Sequence, residues 1–140
     1  VSHCWLISIG DNVTLTSGVQ ILAHDASTKK YTGYTKIGLV RIGDNVFVGV
    51  GSIILPNVKI GNNVIIGAGS VVTRDIPDNS VAVGNPARVV CTTEEYINKH
   101  RRLMKSRPVF DSQWTRRCGI SDEKKQEMIK MLEKGIGYVE

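Results

Sequence analysis

Aromatic side chains are scarce in this sequence, at 6% of 140 residues, and no apolar run approaches the roughly 20 residues that a membrane helix needs. The second lack excludes a helical membrane span, and with 22% charged residues the chain reads as soluble. Cysteine is equally thin. Cys4, Cys91 and Cys118 are odd in number, widely spaced and match no zinc-ligand pattern, so free thiols in the cytoplasm are expected. No secretory leader pattern is present. The first residue is Val1 rather than methionine, so a fragment or a processed chain is expected.

Charge is unevenly distributed. Residues 1–91 carry 7 basic and 5 acidic side chains, residues 92–119 carry 7 and 3, and residues 120–140 carry 4 and 5. The basic middle section, with KHRRLMKSR and TRR, has too little aromatic interleaving for a nucleic-acid surface, and no nucleic-acid fold is visible. A solvated helix face, or help in holding an anionic small molecule, fits it better.

What is present is a period. Ile42, Val48, Ile54, Ile60, Ile66 and Val72 follow one another at six-residue steps. Gly43, Gly49, Gly61 and Gly67 follow four of them, and Val46, Ser52, Val58, Val64, Ser70 and Ile76 stand four positions after each. A helix repeats its apolar residues every three to four positions and a half-buried strand every two, so neither explains a spacing of six. Hexapeptide units belong to parallel β-helices, in which three short strands close one triangular coil and coils stack about 4.8 Å apart. The aliphatic positions then form inward columns. The glycines serve corners where a Cβ would clash or φ must be positive, and Gly43-Asp44, Gly61-Asn62 and Asn62-Asn63 are turn chemistry.

The frame extends upstream through Ile9, Val13, Leu15 and Ile21 and breaks once, between His24 and about Val40. That stretch, rich in Lys, Thr, Tyr and Gly, is expected to leave the prism as a loop at about 25–40. Asp25 sits where the frame wants a small inward residue. A buried unpaired carboxylate is costly, so either the coil opens there or Asp25 has a partner. The prism is expected to end near Pro77, with Ala82–Val90 packed across its end.

The repeats place a β-helix domain at residues 1–90 and a helical extension at 91–140. Thr92 and Glu95 form a capping box for a helix over about 93–107, stopped by Pro108. Pro108–Gly119 reads as loop. Ser121-Asp122-Glu123 opens a second helix over about 122–134, ended by Gly135. Both are short and amphipathic, so they need a partner surface.

The hexads, together with GAGSVVTRDIP at Gly67–Pro77 and VGNPARVV at Val83–Val90, closely resemble the hexapeptide-repeat acyltransferases, the family of galactoside, maltose and serine acetyltransferases. QILAHDAS at Gln20–Ser27 looks most like its branch that O-acetylates sugars and polysaccharides. The resemblance covers about two-thirds of the chain and implies an all-β fold, a left-handed parallel β-helix, assembled as a homotrimer. It implies acetyl-CoA as co-substrate, lying between adjacent prisms, and a sugar-type acceptor. It implies His24 as general base and the Val50 backbone N–H as oxyanion donor. Cofactor contacts then fall on Gly49, Ala68, Thr73, Arg74 and Arg88. A further family arginine aligns with Cys91, and the family's upstream polar residue would precede Val1. No metal is implied.

Positioned imidazoles and backbone donors are the usual means of making a hydroxyl attack a thioester. For the acceptor side, Asp25, Tyr31, Tyr34 and His3 are candidates. His3 lies one coil-length plus three residues before His24. The tyrosines and Trp5 suit stacking on a sugar ring or anchoring the loop. Two alternatives stand beside O-acetylation. One is N-acetylation of an amino or nucleotide sugar. The other is a non-catalytic or metal-binding β-helix, but the zinc-dependent carbonic anhydrases of this fold need three convergent histidines, and only His3 and His24 lie in the coil region.

Overall fold

A computed structural model describes residues 3–140. The first coil runs through β1 (Ile7–Ile9), β2 (Thr14–Leu15) and β3 (Gln20–Ile21). An excursion follows, with β4 (His24–Asp25), α1 (Lys29–Thr32) and β5 (Lys36–Ile37). The second coil is β6 (Val40–Ile42), β7 (Phe47–Val48) and β8 (Ile53–Ile54), and the third is β9 (Val58–Ile60), β10 (Ile65–Ile66) and β11 (Val71–Val72). Strands at matching places pair in parallel, giving three faces: β1-β6-β9, β2-β7-β10 and β3-β8-β11. Val40 faces Val58 and Phe47 faces Ile65, each eighteen positions on, so three hexads make one coil. Ile7 faces Val40, thirty-three positions on, so the excursion inserts fifteen residues into the first turn.

The twelve inward positions of the period form the core. Ile42, Val48, Ile54, Ile60, Ile66 and Val72 are at most 4% exposed, and so are Val46, Ser52, Val58, Val64, Ser70 and Ile76. The two serines keep their hydroxyls bonded inside. Ser52 Oγ and Ser70 Oγ both donate to the Gly67 carbonyl, at 3.0 and 2.6 Å. One corner is an Asx ladder: Asp11 N–H donates to Asp44 Oδ1, Asp44 N–H to Asn62 Oδ1 and Asn62 N–H to Asp78 Oδ1, at 2.7–2.8 Å. Asn12, Asn45, Asn63 and Asn79 take left-handed φ of 53–56° beside it, as asparagine tolerates. The glycine after a hexad start answers to closeness rather than to φ. A Cβ on Gly49 would lie 2.5 Å from the Ala68 nitrogen of the next coil.

The stack ends later than Pro77. Ile76 still bridges Ile60, and β12 (Ser80–Val83) adds a strand to the second face, parallel to β10. The turn Gly84–Ala87 then reverses the chain, and β13 (Arg88–Thr92) returns antiparallel along β12 with a bulge at Val81/Ala82. Reversal after β12 lets an antiparallel strand cover what would otherwise be an open edge.

The chain divides into two compact units, the first ending at Tyr96 and the second running from Ile97 to Glu140. α2 (Thr93–Leu103) opens on the reciprocal capping box, with Thr92 N–H to Glu95 Oε2 at 2.8 Å and Glu95 N–H to Thr92 Oγ1 at 3.1 Å. It ends at Leu103 rather than Arg107 because the last turn tightens, with Lys105 and Ser106 N–H groups reaching only three residues back. Pro108–Gly119 is not all loop: β14 (Val109–Phe110) pairs in parallel with β15 (Tyr138–Val139), around a buried Phe110. α3 (Asp122–Leu132) is capped by Ser121, whose Oγ accepts from Lys124 N–H, and it stops two residues before Lys134. Among the described residues, no helix is long and apolar enough to cross a membrane.

Candidate active site

His24 stands where the chain leaves the first coil. β4 and β5 form an antiparallel ribbon at the root of the excursion, His24 opposite Ile37 and Asp25 opposite Lys36. Successive strand residues point to opposite sides, so His24 and Asp25 diverge. The Gly38 N–H closes the ribbon on the Ala23 carbonyl at 3.0 Å. Gly38 also presses on the next coil, where a Cβ would come within 2.6 Å of the Asn57 nitrogen. The imidazole thus sits on a tied base, not on a free loop.

Asp25 has its partner. Lys36 Nζ lies 2.6 Å from its Oδ2, and its Oδ1 accepts from Ser27 N–H at 2.8 Å, capping the 3₁₀ turn Ala26–Thr28. The Lys36 ammonium first, and the Ser27 donors next, hold this carboxyl well below the usual carboxylate range. Asp25 is therefore committed to holding the excursion. At the tip, Tyr31 and Tyr34 are 84% and 79% exposed, and Thr28 Oγ1 donates to the Tyr34 carbonyl at 2.9 Å.

His3 lies beside His24, with ring centroids 5.5 Å apart and planes tilted by 54°. Trp5 packs on the other imidazole neighbour, 5.2 Å from His3. The Nδ1 atoms of both histidines are buried and have no hydrogen-bond partner among the described residues.

The remaining candidates line the corners of later coils. Gly49, Val50 and Gly51 form one turn, with Gly49 N–H on the Ile66 carbonyl and Gly51 N–H on the Ser17 carbonyl. Ala68 occupies the same corner one coil on, where Gly69 N–H donates to the Val50 carbonyl at 2.8 Å. The Val50 and Ala68 N–H groups donate to no other described residue. Val50 is itself 57% exposed. Thr73 shares a cavity of about 370 Å³ with Asp25, Lys36, Ile37, Leu55, Pro56 and Asn57, which brings a cofactor-side and an acceptor-side candidate to one pocket. Arg74 is exposed and forms no ion pair among the described residues. Arg88 is exposed at the start of β13, its Nη1 donating to the Ala87 carbonyl at 2.9 Å. Tyr31, Tyr34 and Arg88 do not line that cavity.

Lys36 and Ile37 are the site residues that the hexad period does not announce. The pairing of β4 with β5 obeys a period of two over only two residues, too short to register. The usable signal was a carboxylate in an inward frame position with a lysine eleven residues on. No group of three His, Cys, Asp or Glu side chains among the described residues converges on a metal position.

Hexapeptide coils on three faces, broken by one side loop with an imidazole at its root, define a hexapeptide-repeat protein. Residues 40–74 match the family described as bacterial transferase hexapeptide (six repeats). Protein CapG of Staphylococcus aureus is 51% identical over 102 residues, which are 70% of this chain and 59% of CapG. A solved maltose O-acetyltransferase from Clostridium difficile 630 is 53% identical with a TM-score of 0.56, over 61% of this chain and 48% of that one. A galactoside acetyltransferase solved in complex with coenzyme A is 37% identical with a TM-score of 0.59, over 66% and 48%. The coil region thus carries that family's hexapeptide repeats and is similar to acetyltransferases that share them. The chain spans about half to three-fifths of the length of these relatives.

Proposed function

We propose that this protein is an acetyl-CoA-dependent O-acetyltransferase acting on a hydroxyl of a sugar or polysaccharide precursor, with His24 as its general base. The observation that carries the reading is the fifteen-residue insertion, which roots an imidazole on a stack whose other turns advance by eighteen or sixteen residues. The similarity to a maltose O-acetyltransferase and to a galactoside acetyltransferase that holds coenzyme A supports the substrate class and the co-substrate.

In this reading a nitrogen of His24 takes the proton of the acceptor hydroxyl as its oxygen attacks the thioester carbonyl. The Val50 N–H, unpaired among the described residues, holds the oxyanion of the tetrahedral intermediate. Collapse of that intermediate breaks the carbon–sulfur bond, and the proton on His24 passes to the departing CoA thiolate. The pantetheine arm runs along Gly49 and Ala68, where the absence of larger side chains leaves the corner low. Thr73 and Arg74 follow it, and Arg74 and Arg88 meet the phosphates, a task suited to guanidinium. Tyr31, Tyr34 and His3 face the acceptor. The prism winds left-handed, residues 1–90 form the transferase domain, and residues 91–140 are its helical extension. Three copies assemble as a homotrimer, with each cofactor in the cleft between two prisms.

The test is release of free thiol from acetyl-CoA against a panel of sugars, nucleotide sugars and amino sugars. Release that requires a hydroxyl acceptor supports the reading. Release with amino sugars alone replaces it with N-acetylation, and no release with any acceptor overturns it. Light scattering on the same sample should give a trimer; a clean monomer would leave no intersubunit cleft.

A further inference from the structure

We propose that His3 is the positioning residue of His24. Its imidazole accepts a hydrogen bond from the Nδ1–H of His24, and so leaves Nε2 of His24 free of a proton to act as the base. The inference rests on the reading of His24 as the base and adds the group that orients it.

A neutral imidazole carries one N–H, and the nitrogen that is to receive a proton must be the bare one. Nδ1 of His24 is buried and unpartnered among the described residues. An N–H left unpaired in that position is unfavourable, so the isolated ring prefers its proton on Nε2, the wrong side for a base. A hydrogen-bond acceptor at Nδ1 reverses that preference.

Few neighbours qualify. Asp25 points to the other side of the ribbon, with its carboxylate taken by Lys36 and by the Ser27 N–H. Ile37, opposite His24, is apolar, and the Ala23 carbonyl, which receives the Gly38 N–H, is not a partner of the His24 Nδ1. His3 remains. Its ring centroid lies 5.5 Å from that of His24, a separation that two imidazoles joined by an N–H···N hydrogen bond also show. Its own Nδ1 is likewise buried and unpartnered among the described residues. Two such nitrogens on neighbouring rings need only one proton between them, since one can donate what the other accepts.

His3 is also held for the purpose. It takes a left-handed φ of 66° at the start of the 3₁₀ turn Cys4–Leu6, its carbonyl accepts from Leu6 N–H at 3.0 Å, and Trp5 packs 5.2 Å from its ring. During the reaction the acceptor's proton arrives on Nε2 of His24, while Nδ1–H continues to donate to His3. The proton then leaves from Nε2 to the CoA thiolate, and His3 neither gains nor loses one.

The experiment is side-chain ¹⁵N NMR of the histidines in the full chain above their titration range. The proton of His24 should reside on Nδ1 in the unmodified protein and move to Nε2 in His3→Phe. In His3→Asn, whose Oδ1 stands near the place of Nδ1 and accepts hydrogen bonds, it should return to Nδ1. Kinetically, His3→Phe should lower kcat by about 10- to 100-fold with KM for acetyl-CoA unchanged, the range seen when the outer partner of a metal-bound imidazole is removed. His3→Asn should recover most of that loss. A proton on Nε2 of His24 in the unmodified protein overturns the proposal, and that measurement needs no variant to fold. Equal tautomers in all three proteins also overturn it. The tautomer is read without turnover, so the two readings fail separately. An Nδ1 proton in a protein that transfers no acetyl group leaves the pair standing and removes the base. Transfer that depends on a His24 protonated at Nε2 removes the pair.

Discussion

The coils at residues 40–83 and the excursion at residues 24–38 share one stack and are held together by different means. In the coils, each inward side chain is buried and the short strands pair in parallel from coil to coil. In the excursion no residue is buried, and order comes from one ion pair, one two-residue ribbon and hydroxyl bonds around Thr28 and Thr32. Stability thus comes from a repeat that tolerates little chemical variety. In the function proposed, chemistry falls to an insert that contributes little to the core, which leaves its side chains free to differ. Loops placed on a rigid scaffold commonly carry function for this reason.

The sharpest way to break that contrast is a pair of truncations. Ile60→Ala removes a side chain that is 1% exposed in the middle of the inward column. It should cost about 2–5 kcal/mol in denaturant or thermal unfolding. Tyr31→Ala, at the exposed tip, should change stability by less than about 0.5 kcal/mol in the same measurement. Comparable losses at both positions would mean that the excursion is part of the core.

A smaller effect is expected from Gly49→Ala, since its new Cβ would meet the backbone of the next coil rather than a movable side chain. Overpacking of this kind costs about 1–3 kcal/mol in unfolding free energy. Gly33→Ala, where nothing stands within 4 Å but φ is 79°, tests conformation alone and should cost less. If Gly33→Ala proves the worse of the two, closeness between coils is not what selects glycine after a hexad start.

The smallest effect concerns Asp25. Its carboxyl is depressed below the ordinary value of 3.8, chiefly by Lys36. The sign follows from linkage: a depressed carboxyl contributes its stabilisation above its unfolded pKa and loses it as pH falls through the folded one. Asp25→Ala should therefore lower the melting temperature slightly at neutral pH, and the difference should shrink only in strongly acidic solution, below the ordinary aspartate range. A difference already lost near pH 5 would contradict the pairing with Lys36.

How much was legible follows the same division. The twelve buried positions could be read from the period, because a six-residue spacing leaves one way to bury Ile and Val columns. The exit of the chain at His24 could be read as a frame break. The parallel pairing of Val109–Phe110 with Tyr138–Val139 could not, since two-residue strands twenty-nine positions apart leave no alternation to detect. Nor could the end of the stack: Ser80–Val83 lacks the glycine-marked hexad, yet its backbone still fits the second face. The Asp25–Lys36 pair was half visible, as a carboxylate in a place that demanded an answer. The spacing of His3 from His24, one coil-length plus three residues, made it an acceptor-side candidate, but the contact of the two rings and the shared burial of their Nδ1 atoms are properties of three-dimensional packing.

The most direct measurement is turnover and cofactor binding on one preparation of His24→Ala. The account predicts that kcat for acceptor-dependent thiol release falls by about 10²–10⁴. It also predicts that the calorimetric affinity for CoA and the melting temperature stay as they were. Near-normal turnover in that variant would remove the imidazole from the chemistry and contradict the account.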